Sequence, residues 1–178
     1  MSMPLHCSSE SYRLNHGPKQ EEPIPGIGTV VFSVICDGNA EEVLNTSKSV
    51  MRAICSQSES KWPNDTTWRT LLPQRFVSAC ADEMTPEEVE QWLKNWQRLN
   101  QEQREAEERN RNWSLANWLY WLQPSERLWQ WWDAEAIDPS CIIVCFAVKS
   151  WPFGSGAISW LFRGSGAKEV VAVNQRTS

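Results

Sequence analysis

Cys141-Ile142-Ile143-Val144-Cys145-Phe146-Ala147-Val148 is the stretch that decides the fold. It is an unbroken apolar run, rich in β-branched residues, too short for a buried helix and without a polar face. It reads as a strand covered on both sides. Trp151-Pro152-Phe153-Gly154 then turns the chain. Ser155 to Arg163 sets Ile158, Leu161 and Phe162 on one helical face, and Gly164 fits a helix C-terminal cap. Lys168 to Val173 (KEVVAV) reads as a further strand. A connection long enough for a helix predicts a parallel, right-handed βαβ unit.

Upstream, Thr29 to Cys36 (TVVFSVIC) is bounded by Gly28 and by Asp37-Gly38, with apolar residues on both faces. It predicts an inner strand. Asn39 is a candidate cap for a helix over 40–55, where Val43, Leu44, Val50, Met51 and Ile54 recur near helical spacing. The expected architecture is α+β, with α/β-like ends. It is a small mixed sheet with a C-terminal parallel βαβ unit, packed with a Trp-rich helical layer inserted between the first and later strands. An arrangement with four strands needs one more, and only 68–72 offers a short edge.

The insert spans about 60–138. Thr85-Pro86-Glu87-Glu88 combines an N-cap, Pro at the first helical position and Glu at the third, a capping box. Val89, Trp92, Leu93, Trp96 and Leu99 follow as one stripe, and the helix is expected to run on to about Arg109. Ser114 can cap a second helix with Leu115, Trp118, Leu119 and Leu122 inward. Pro124 stops it. Ser125 is expected to start a third helix, with Leu128, Trp131 and Trp132 on its inner face. Residues 29–178 form a single domain on this reading. Residues 1–28, with Pro4, Pro18, Pro23 and Pro25, form an arm that is extended or disordered unless it docks on that domain.

Twelve tryptophans sit in 178 residues, most of them between Trp62 and Trp132. Each ring must be buried in the core, buried in a partner or left as an apolar patch. Trp92, Trp96, Trp118, Trp131 and Trp132 fall on the inner stripes and read as core. Trp62, Trp113, Trp121, Trp129 and Trp151 fall off the stripes or in loops, and they are the candidate partner-binding residues.

No catalytic motif is evident. The two histidines, His6 and His16, lie in the arm, where neither a metal site with Cys7 nor a Cys–His nucleophile would have fixed geometry. Cys141 and Cys145 would lie roughly 13 Å apart on a strand, too far to share zinc. The cysteines read as free thiols, and neither a metal nor a cofactor is expected. Gly154-Ser155-Gly156 resembles a phosphate-binding turn only loosely, because position 159 is Ser where the dinucleotide fingerprint needs Gly, and there is no Walker lysine.

The net charge of −5 argues against nucleic acid or an anionic membrane and suits a basic protein partner. No spanning segment is visible, and residues 1–17 lack the apolar core of a signal peptide, so a cytoplasmic setting is expected. The leading expectation is a non-enzymatic protein-binding module with a Trp-rich acidic surface. A small bacterial immunity-type protein that neutralises a toxin is of this kind. The alternative is a small-ligand or phosphate-binding domain, or an enzyme, whose site gathers Asp37, Lys149, Gly154, Ser155 and Gly156. A homodimer that buries the rings is the third.

Overall fold

The computed structural model describes residues 7–58 and 60–173. Chain order is α1 (Cys7–His16), β1 (Gly28–Ile35), α2 (Ala40–Gln57), α3 (Asp65–Leu71), α4 (Gln74–Ala79), α5 (Pro86–Arg98), α6 (Gln101–Asn110), α7 (Leu115–Leu122), β2 (Trp129–Asp138), β3 (Cys141–Val148), α8 (Gly156–Gly164) and β4 (Glu169–Ala172). The fold is α+β. Its sheet order is β2-β3-β1-β4, and every neighbouring pair is antiparallel.

That pairing corrects the expected parallel βαβ unit. β3 and β4 do run the same way and α8 does connect them, but β1 lies between them and pairs with both. The first half repeats the pattern, because β1 and β2 are parallel in direction and separated by β3. Two split βαβ units interleaved in this order give the ferredoxin-like connectivity, with the whole of α2 to α7 filling the first crossover. An inner strand apolar on both faces is compatible with either arrangement, so the run itself could not choose between them.

The fourth strand is β2, where a helix was expected from Ser125. Trp129 and Trp131 point into the core at period two, opposite Val148 and Phe146. A β-bulge at Trp132 shifts the register, so that Asp133 and Glu135 line the other face. Leu128, expected inward, is exposed. The bulge explains the misreading, since one extra residue breaks the alternation that would have announced a strand.

Phe32 and Val34 of β1, Ile142, Val144 and Phe146 of β3, and Trp131 of β2 share the buried sheet face with α2 and α8. Phe146 is in edge-to-face contact with Phe32, Trp129 and Trp131. Gly164 lies inside α8, not beyond it, and Ser165 follows as C-cap. A Cβ at Gly164 would stand 2.7 Å from the Phe76 ring, so glycine lets α4 approach the helix.

The N-terminal arm docks. α1 puts Leu14 into the core and uses Glu10 and Arg13 to close the outer edge of β2. Trp131 N–H donates to Glu10 Oε1 at 2.8 Å, and Arg13 Nε donates to the Trp131 carbonyl at 2.9 Å. Two side chains thus satisfy the backbone groups that an added strand would otherwise take. Glu10 also accepts from both terminal nitrogens of Arg127, at 2.7 and 2.8 Å. Arg13 reaches Glu22 at 2.6 Å and lies over the Trp132 ring. His6 and the Cys7 side chain lie outside the described residues.

Candidate functional site

α5 and α6 stand apart from the core. Neither buries a residue, although both are well capped. Thr85 and Glu88 form the expected capping box, and Asn100 with Gln103 forms a second one. That second box ends the first helix at Arg98 and restarts it at Gln101, where one helix to Arg109 was expected. On the surface of α5, Glu90 meets Lys94 one turn on at 3.0 Å.

The space between this helical pair and the body is a cavity of about 880 Å³. Trp92 and Trp96 of α5, Trp113 at the entry to α7, Trp121 of α7 and Trp129 of β2 line it. Gly154, Gly156 and Ala157 at the start of α8 line it as well. Ala81 N–H donates to the Trp113 carbonyl at 2.9 Å, tying two walls together. Gly156 allows the close fit, because a Cβ there would stand 2.9 Å from Trp113 Cζ2.

Charge around the cavity is one-sided. Among the described residues, Asp82, Glu83, Glu107, Glu108 and Glu126 line it against the single cation Arg111. Glu83 is partly engaged, accepting the Ala116 N–H at 3.0 Å near the start of α7. The Arg111 guanidinium lies 5.0 Å from the centre of the Trp92 ring and 4.8 Å from that of Trp113. Burial holds it below the usual arginine range, opposed by Glu108 and Glu107. Arg104 covers Trp96 at 5.5 Å, and Arg127 covers Trp129 at 5.4 Å. From α8, Arg163 donates to the Asn110 and Arg111 carbonyls and to Asn112 Oδ1, capping the end of α6.

No family model, curated protein or solved structure matches this chain.

The candidate partner-binding tryptophans divide. Trp121 and Trp151 are exposed, at 45% and 68%. Trp113 and Trp129 are buried, contrary to the surface position expected of them, yet both line the cavity. Trp62 is half-buried against Trp68, 4.8 Å between ring centres, and lies outside the cavity. Trp92 and Trp96, expected in the core, are half-buried and stacked at 5.2 Å on α5. Their stripe is real, but it faces the cavity.

The alternative ligand site is not assembled. Gly154 and Gly156 line the cavity, while Ser155 is exposed and its side chain caps nothing. Asp37 follows the end of β1, and Lys149 follows the end of β3, and these antiparallel strands pair Gly28 with Val148 and Ile35 with Cys141. The two side chains therefore sit at opposite ends of the sheet, about 25 Å of strand apart. A parallel unit would have brought such strand ends together. Arg111 is the residue that sequence reasoning missed. The signal available was its place beside Trp113, between two aromatic helices.

Among the described residues no cluster of His, Cys, Asp and Glu could hold a metal ion. No described helix is long and apolar enough to cross a membrane. Among the described residues Cys36, Cys80, Cys141 and Cys145 are free thiols. Burial pushes the Cys36, Cys80 and Cys145 thiols up, which favours the unreactive protonated form.

Proposed function

We propose that the protein is a non-enzymatic binding module that docks a basic protein partner through the tryptophan-lined cavity. The observation that carries this reading is five carboxylates against one guanidinium around five indole rings. Trp rings remove large area from water at low rotamer cost, and an acidic rim steers a basic partner towards them. The half-open stripe of α5, with Leu93 46% exposed, supplies further apolar surface beside the cavity. An immunity-type protein that neutralises a basic toxin in the cytoplasm is the form of this function that the acidic charge favours.

The test has two stages. Proteins retained from a lysate by the wild type are identified, then each is purified and titrated against wild type and the Glu107→Gln/Glu108→Gln variant. The reading expects one basic protein at one-to-one stoichiometry, with affinity that falls with salt and in the charge variant. A retained protein bound equally by that variant, or none retained, overturns it. Trp129→Ala is unsuitable here, because that ring is core and its loss would unfold β2.

A second reading, a small ligand, is favoured by the cavity volume, which is within the usual range for such sites. Its site would use the Trp113, Gly156 and Arg111 end of the cavity.

A further inference from the structure

Four of the five cavity rings already carry an arginine of the same chain. Arg111 serves Trp92 and Trp113, Arg104 serves Trp96, and Arg127 serves Trp129. Trp121 is the exception among the described residues. Its ring meets Tyr120 edge-on at 5.1 Å and has no cation over it, although it is 45% exposed at the cavity. An exposed indole in a cavity with excess negative charge is a vacant cation seat, since the ring face attracts a cation and the carboxylates supply acceptors.

We propose that Trp121 receives an arginine side chain of the protein partner, completing the series of arginine–tryptophan contacts. This rests on the docking reading above and names the group that it recognises. Arginine is favoured over lysine by geometry. A planar guanidinium stacks on an indole while its edge N–H groups still reach carboxylates, whereas an ammonium is a compact, strongly hydrated charge. The cations over the other four cavity rings are all arginines. Glu126, which lines the same cavity, is the nearest acidic residue in sequence to the Trp121 ring.

The experiment uses the full chain and two acetylated, amidated pentapeptides, Gly-Arg-Gly-Arg-Gly and its lysine counterpart, titrated by calorimetry. The arginine peptide is expected to bind more tightly than the lysine one. Trp121→Ala is expected to weaken the arginine peptide about fivefold, the size of one partly exposed cation–π contact. Trp121→Phe should fall between, and Ile137→Ala, at the end of β2, should match wild type. Thermal melts of each variant check the fold. Equal binding to wild type and Trp121→Ala, equal binding of the two peptides, or no binding of the arginine peptide overturns the proposal. The Glu107→Gln/Glu108→Gln variant separates this failure from that of the docking reading. If it weakens both peptides while Trp121→Ala does not, docking stands and the Trp121 seat falls. If it changes neither, the docking reading falls.

Discussion

Replacing Glu10 by Gln is expected to cost far more than an N-terminal position suggests. The Glu10 carboxylate is fully buried and accepts two charge-assisted bonds from Arg127, whose side chain is 9% exposed, plus the Trp131 N–H. Glutamine keeps the shape and one acceptor, so Trp131 can remain satisfied. Its amide nitrogen then faces an Arg127 nitrogen, donor against donor, and the buried guanidinium loses the counter-charge that Glu10 supplies. Breaking one side of a buried pair costs about 3–5 kcal/mol. For a domain of this size that is a fall in Tm of roughly 6–20 °C. The assay is urea and thermal unfolding followed by Trp fluorescence. The double variant Glu10→Gln/Arg127→Met removes the buried guanidinium as well and should recover about 2 kcal/mol or more of that loss, within the range of coupling between contacting residues. A single variant within about 1 kcal/mol of wild type, or a double variant with strictly additive losses, would refute the reasoning.

Four further outcomes are expected. Gly156→Ala pushes a methyl into the Trp113 ring and should lower stability by about 1–3 kcal/mol, read by urea melts, with a changed Trp emission from the cavity. Arg111→Met removes the cation between Trp92 and Trp113, and faster hydrogen exchange in α5 than in α2 should report the loosened helix. Trp151→Ala, at an exposed loop ring, should leave stability within about 0.5 kcal/mol of wild type. Glu22 titrates low, because desolvation, which raises its pKa, is outweighed by the Lys19 N–H and the Arg13 guanidinium. Its stabilising contribution is therefore present above its unfolded value near 4.5 and lost as pH falls through the lower folded value. Glu22→Gln should flatten the acid limb of a pH–stability curve.

The helices with regular stripes and strong caps were legible. Thr85 and Ser114 mark true starts, and the side chains of both accept the backbone N–H they were expected to hold. What escaped reading was long-range. α1 has few apolar residues, and its helix is held by Glu10 and Arg13 bonding to residues more than 110 positions away. No local pattern encodes such bonds. β2 escaped because a bulge interrupted its alternation, and with it went the sheet order. The candidate site was legible in composition, through the density of tryptophan and acid. Its geometry was not, since five rings from three elements and the intervening connections converge only after the crossover has folded.

The register between β1 and β3 has a consequence for synthesis on the ribosome. Ile35 pairs with Cys141 and Gly28 with Val148, so the central strand emerges more than a hundred residues before its neighbour. At about 5–20 residues per second that is a wait of roughly 5–25 s. Throughout it, Thr29-Val30-Val31-Phe32-Ser33-Val34-Ile35 has neither ladder partner, because β4 comes later still. Such a segment, β-branched, uncharged and free of proline, is the kind that pairs with copies of itself. Yield in a cell should therefore depend on chaperone supply more than the stability of the finished fold suggests, and a charge placed at half-buried Ser33 would protect the nascent chain at the expense of the mature sheet.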